Sequence, residues 1–245
     1  MKNWATRVTT AVMVLAMTAV TAGAQGRGQG GPPPPPADPH DLTGYWELPF
    51  DGRNVPRADL VASKAAIDEA QKKTDNGIRW CNLQGVPFLM GTSRPLNIEL
   101  GVREMVIVPE SAVAAPRHVY LDRTAHIDPK IWDATTNGDS IGHWEGDTLV
   151  VDTAGFHADH GNLMIPGGGF KTADSHLVER YKLMNNGQVL SVTFTWTDPN
   201  VFKTPHTYEF RYFRLQKTYE PRVALACNAF DKDRVAFVTD AATHH

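Results

Sequence analysis

Four residues have the type and setting for acid–base chemistry: Glu179, His206, His143 and His126. Glu179 lies between Leu177 and Tyr181 in a run that alternates polar and apolar residues, and an extended strand puts positions i and i+2 on one face. It therefore interrupts an otherwise apolar face. His206 ends a comparable row formed by Tyr208, Phe210 and Tyr212, with Arg214 beyond it. An apolar setting drives a carboxylate or an imidazole towards its neutral form, which brings proton transfer nearer to neutral pH. The competing reading for Glu179 is an ion pair with an inward arginine such as Arg211 or Arg214. His143 shares a face with Ile141 and Glu145 beside a Glu-Gly-Asp turn, where polar residues are also needed to keep the turn hydrated.

A second chemistry is metal binding. His157 and His160 lie with Gly167-Gly168-Gly169 in a stretch of about sixteen residues that shows no strand pattern, a length more often functional or mobile than a short turn. Such a segment reads as a lid. The two imidazoles would suit a divalent metal, zinc or copper, although a His-x-x-His pair in a loop lacks the fixed geometry of a helix. The competing reading is two solvent-exposed loop histidines. The chain contains no G-x-S-x-G elbow, P-loop, H-E-x-x-H or dinucleotide fingerprint, so serine hydrolase, nucleotide and zincin readings lose their usual support.

The elements that must position these residues are mostly strands. Gly44 to Leu48 reads as a first strand, and Asn97 to Leu100, Glu104 to Pro109 and Arg117 to Asp122 are short strand-like runs. Glu145-Gly146-Asp147 separates two runs within Ile141 to Thr153, and Asn185-Asn186-Gly187 separates two within Leu177 to Trp196; both spacings predict β-hairpins. Thr207 to Leu215 follows as a further strand. Leu190, Val192, Phe194 and Trp196 form one apolar face. Ala58 to Lys73, preceded by Pro56, has the spacing of a single amphipathic helix. The expectation is a mainly β domain, a single antiparallel barrel or strongly curved sandwich with one N-terminal helix.

Lys2 and Arg7, the apolar stretch Val8 to Val20 and Ala22-Gly23-Ala24 have the order of a cleavable export signal, with cleavage before Gln25. The apolar stretch is about thirteen residues where roughly twenty are needed to span a bilayer, so no transmembrane segment is expected in the mature protein. Residues 25–40, rich in Gly and Pro, read as a flexible linker, 41–230 as one β domain and 231–245 as a loosely ordered tail. Two of the 24 Lys and Arg residues lie in the signal, against 27 Asp and Glu, leaving a mature net charge of about −5 and no basic footprint for nucleic acid. In the periplasm, or secreted, Cys81 and Cys227 would meet an oxidising medium and are expected to pair, a link worth roughly 4 to 5 kcal/mol on the chain-entropy model.

The run from Gly138 to Phe156, GDSIGHWEGDTLVVDTAGF, resembles a motif of a family of uncharacterised secreted bacterial β-rich proteins. Val178-Glu179-Arg180-Tyr181, Asp198-Pro199 and Cys227-Asn228 support the resemblance, which covers about half the chain, from Arg117 to Cys227. It implies secretion, a β-rich fold and a lipocalin-like pocket, and it carries no activity or catalytic residues. His143 stands where the family pattern has Arg, Asp122-Arg123-Thr124 replaces an Asp-Gly-Arg turn, and the stretch after Phe156 is unusually rich in His and Gly. Polar residues on apolar strand faces suit an interior pocket for a small apolar or aromatic molecule. The alternative is an acid–base or metal-assisted lyase, isomerase or hydrolase in the same pocket, which requires Glu179, His206, His143 or His126 to converge.

Overall fold

Period-two alternation dominates the residues that the computed structural model describes, which are 37–221 apart from 80–82, 112, 160 and 217. The expected signal peptide, nearly all of the linker, Cys81, Cys227, His160 and the C-terminal tail lie outside the described residues. In chain order the elements are β1 (Gly44–Glu47), a 3-10 turn (Phe50–Gly52), β2 (Arg53–Asn54), α1 (Lys64–Arg79), α2 (Phe88–Gly91), β3 (Leu96–Leu100), β4 (Glu104–Pro109) and β5 (Arg117–Tyr120). They continue with β6 (Asp139–Glu145), β7 (Thr148–Ala154), β8 (Met164–Ile165), β9 (Gly169–Phe170), β10 (His176–Met184), β11 (Val189–Thr197) and β12 (His206–Arg214).

Nine of these strands close a barrel in the order β1-β3-β4-β5-β6-β7-β10-β11-β12, and β12 pairs back with β1 through Trp46 opposite Arg214. The mainly β barrel expected from the sequence is thus present. Antiparallel neighbours alternate in direction, so an odd ring must contain a parallel pair somewhere. It falls between β5 and β6, where Val119 pairs with Ser140 and Tyr120 with Ile141. Parallel neighbours cannot be joined by a tight turn and need a crossover of a dozen residues or more. Here that crossover is the stretch 121–138.

Both anticipated hairpins form. β6 and β7 meet at the two-residue turn Gly146-Asp147, and β10 and β11 meet around Asn185, Asn186 and Gly187 with φ of 50°, 52° and 78°, left-handed values that Asn and Gly tolerate. The stretch after Phe156, expected to lack strands, contains the small β8–β9 hairpin. The helix differs from the expected Ala58 to Lys73. Residues 58–62 are held extended by backbone bonds from Ala58 N to Gly167 O and from Val61 N to Val201 O, so α1 starts at Lys64. Ser63 caps it, its Oγ accepting from Ala66 N at 3.2 Å.

Inward-facing side chains form the core of the barrel. Trp46, Ile98, Ile107, Val119, Leu149 and Val151 meet Leu177, Tyr181, Leu190, Val192, Phe194, Trp196, Phe210 and Tyr212, all essentially without solvent contact. α2 adds Leu89 and Met90, and Tyr212 Oη donates to the carbonyl of Met90. Amid these apolar residues lies one ion pair, Arg117 with Glu179, fully buried. Arg117 Nη1 donates to Glu179 Oε1 at 2.8 Å, Nη2 donates to Thr153 Oγ1 at 2.9 Å and Nε to Ser140 Oγ at 3.2 Å, while Tyr181 Oη donates to Glu179 Oε1 at 2.9 Å. Burying two charges is costly unless each remaining donor and acceptor finds a partner, and this cluster supplies them. No helix among the described residues is long and apolar enough to cross a membrane.

Candidate functional site

Outward residues alternate with the inward ones along the same strands. Ser140 and Thr153 point in to Arg117, so their neighbours Asp139, Asp152 and Ala154 point out. Leu177 pairs with Thr153, which sets the outward His176 beside Ala154. The crossover runs over this patch of wall and is tied down at two places. Near its start, Arg123 Nη2 donates to Asp139 Oδ1 at 2.6 Å and the amide of Ile127 donates to Asp139 Oδ2 at 3.1 Å. Near its end, Thr135 bridges to the chain beyond β7, its amide donating to Gly155 O and its carbonyl accepting from His157 N at 2.9 Å.

Between these anchors the crossover roofs a cavity of about 560 Å³. Trp132, Phe156, Pro129, Ala134 and Ala154 supply apolar walls, and His126 and Asp139 close one end. The volume lies within the usual range of small-molecule sites, roughly 300 to 1,000 Å³. Gly155 has φ of +72°, and a β-carbon there would stand 2.6 Å from Trp132 Cζ3, so the indole rests directly on the glycine backbone.

His126 bridges two strands. Its Nδ1 is 3.0 Å from Asp139 Oδ2 and its Nε2 is 2.8 Å from Asp152 Oδ1, the same oxygen that His176 Nε2 approaches at 2.7 Å. An ionised carboxylate only accepts, so both ring nitrogens of His126 can donate only in the imidazolium form. Burial works to raise the Asp139 carboxyl, but hydrogen bonds from Arg123, Ile127 and His126 outweigh it and hold the group below its ordinary value. Asp152 is likewise lowered, burial being overcome by bonds from His176 and His126. The bond to Asp152 raises His176 against the opposing effect of burial. A carboxylate-oriented imidazole of this kind is suited to proton transfer.

The four acid–base candidates do not gather in one place. Glu179 is inside the barrel and paired, with Arg117 rather than with Arg211 or Arg214. Arg211 faces outward to Glu209, and Arg214 lies over Trp46 at the β1–β12 seam. His206 is also inside, stacked on Phe202, and its Nε2–H donates to Pro166 O at 2.7 Å, fastening the β8–β9 hairpin to the barrel. His143 is exposed on the outer wall, where it meets Glu145 at 3.2 Å. Only His126 belongs to the cavity. The barrel expected to carry a pocket is present, and the cavity described here lies against its outer wall, beside Asp139 and Ala154. For the metal reading, His157 uses its amide to anchor the crossover, and no group of three or more His, Cys, Asp or Glu among the described residues is placed to hold a metal ion.

Sequence reasoning missed Asp139, Asp152, His176, Arg123 and Trp132. The signal for the strand residues was present: Asp139 and Asp152 are polar positions alternating with inward ones, and His176 opens the strand that carries Glu179. A further unanticipated group is Lys171, buried, whose Nζ donates to the carbonyls of Val86 and Thr136. Burial, helped by the nearby charge of Arg117, pushes this amine down to about 7. A neutral amine has two N–H groups, enough for the two carbonyls. Comparisons with known protein families, curated proteins and solved structures returned no match.

Proposed function

We propose that the protein is exported to the periplasm or beyond and binds a small apolar or aromatic molecule in the cleft between the crossover and the outer barrel wall. The observation that carries this reading is the cavity itself, walled by Trp132 and Phe156, with the polar groups of Asp139 and His126 already engaged with one another and with Arg123. Where the carboxylate and the imidazole already bond each other, the apolar walls supply most of what a ligand can gain, because a polar ligand group left unmatched there would be desolvated at a cost. The order of charged, apolar and small residues in the first 24 positions supports export. A Cys81–Cys227 disulfide is part of the same proposal.

The test uses the uncharged fluorophore N-phenyl-1-naphthylamine. Titration of the mature protein at about pH 5.5, near the lower limit for imidazole titration, is expected to give saturable fluorescence with one site per chain. Ala154→Phe fills the cavity from the wall and abolishes that signal, whereas Thr195→Phe, on an outward position of β11, leaves it unchanged. Absence of saturable binding, or binding indifferent to Ala154→Phe, overturns the proposal.

A further inference from the structure

We infer that His126 is a proton-operated latch on this cleft, clamping the crossover to the barrel when protonated and releasing it when neutral, so that an apolar ligand is held at acidic pH and let go as the pH rises. The inference rests on the cleft being the ligand site and adds how that site is controlled.

The two anchors of the roof differ in kind. At Thr135 the crossover is held by backbone hydrogen bonds, which do not titrate in the neutral range. Near its start, beside the bonds from Arg123 and the Ile127 amide to Asp139, it is held by one imidazole ring, His126, that touches a carboxylate on β6 and another on β7. Loss of a ring proton turns one donor into an acceptor, and that acceptor then faces a carboxylate oxygen, which is an acceptor too. One hydrogen bond is replaced by repulsion, and the positive charge between Asp139 and Asp152 disappears.

The charged groups around His126 decide whether this loss frees the roof. On the crossover itself these are Arg123 and Asp128, on β6 Asp139, on β7 Asp152 and on β10 His176. Arg123 keeps its bond to Asp139 and His176 keeps its approach to Asp152, so each carboxylate retains a partner without His126. Hydrogen bonds hold both carboxyls below their ordinary range, so they remain ionised while an imidazole titrates. Deprotonation therefore removes the clamp and leaves the barrel wall intact. The stretch 127–134, which carries Ile127, Pro129 and Trp132 of the cavity, is then tethered at its Thr135 end and, near its start, by Arg123 and the Ile127 amide alone.

Asp152→Asn gives the sharpest test. Both rings meet the same atom of residue 152. A side-chain amide turned with its oxygen there accepts from both rings when they are charged, and turned with its nitrogen there donates one N–H to each neutral Nε2, so the clamp survives at either pH. N-phenyl-1-naphthylamine titrations at about pH 5.5 and about pH 8.5 bracket the imidazole range. The wild-type protein is expected to lose roughly tenfold in affinity at the higher pH, the equivalent of about one hydrogen bond at its usual net worth. His126→Gln, which cannot bridge both carboxylates, binds weakly at both, and Asp152→Asn binds tightly at both. Equal wild-type affinity at the two values, or a wild-type pH dependence retained in His126→Gln, overturns the latch. Hydrogen exchange keeps it testable if the fluorophore finds no site at all. Amide protection in 122–134, corrected for intrinsic rates, then falls at the higher pH in the wild type and stays high in Asp152→Asn if the latch exists, and is equal at both values if it does not.

Discussion

The indole of Trp132 rests on the backbone of Gly155, so closely that a β-carbon on that residue would come within 2.6 Å of Cζ3. Gly155 also holds a left-handed φ of +72°, where an L side chain is strained. Gly155→Ala is therefore expected to destabilise the protein by about 1 to 3 kcal/mol in urea denaturation. It also displaces the indole into the cleft, and fluorophore affinity falls with it. Unaltered affinity in this variant means that Trp132 is not a wall of the site.

Removing Arg117 leaves Glu179 buried without its counter-ion. Arg117→Met is expected to cost about 3 to 5 kcal/mol, measured as a shift of the urea midpoint at constant slope. Adding Glu179→Leu recovers most of the loss, because an apolar pair of similar size has no charge to desolvate. If the double variant is as unstable as the single one, the cluster with Ser140, Thr153 and Tyr181 contributes by its shape and not through the charge pair.

Lys171 makes stability depend on pH in a definite direction. Its amine is depressed from 10.5 to about 7 in the folded protein, so across that window the unfolded chain binds the proton better. Stability therefore rises with pH from about 7 upwards and is insensitive to this group below that value. Between about pH 7 and about pH 9 the rise attributable to Lys171 is roughly 2 to 3 kcal/mol. Urea denaturation of the wild type and of Lys171→Met at the two pH values isolates it. A slope shared by both proteins assigns the effect elsewhere.

His176 is raised by its bond to Asp152. A raised imidazole contributes stability that is fully present below its unfolded value and is lost as the pH climbs through its folded one. Nuclear magnetic resonance titration of the ring proton is expected to give a value above the ordinary 6.5, and Asp152→Asn to bring it back down. A ring that titrates identically in both proteins removes Asp152 as the cause.

The strands were legible because alternation is a local signal. Leu190, Val192, Phe194 and Trp196 announce an inner face within seven residues, and Asn185-Asn186-Gly187 announces the turn before them. What joins distant strands left no such trace. Glu179 reads as a buried carboxylate from its neighbours, yet its partner Arg117 lies 62 positions earlier and is no more conspicuous than Arg211 or Arg214. The sequence pattern starts the helix at Ala58 because Leu60 and Val61 continue its apolar spacing, whereas backbone bonds from Ala58 to Gly167 and from Val61 to Val201 hold this stretch out of it and α1 begins six residues later, at Lys64. Ser63 was the readable start signal. The cleft was the least legible part, since 121–138 has no periodicity and its two walls come from elements that meet only when the barrel closes.

The parallel seam between β5 and β6 separates two tasks along the chain. β1 and β12 are neighbours, and Leu215 N donates to Tyr45 O, so the chain enters and leaves the barrel at one spot. Joining residue 42 to residue 216 by a short linker and opening the chain at Asp128 would produce a circular permutant with every strand pairing preserved. Such a molecule is expected to keep its nine-stranded wall, with a roof severed between its two anchors. The segment that an odd number of strands makes obligatory for connectivity is thus also the one that builds the cleft, and its last residues stay bound to the interior, where Asn137 Oδ1 accepts from the amide of Val86.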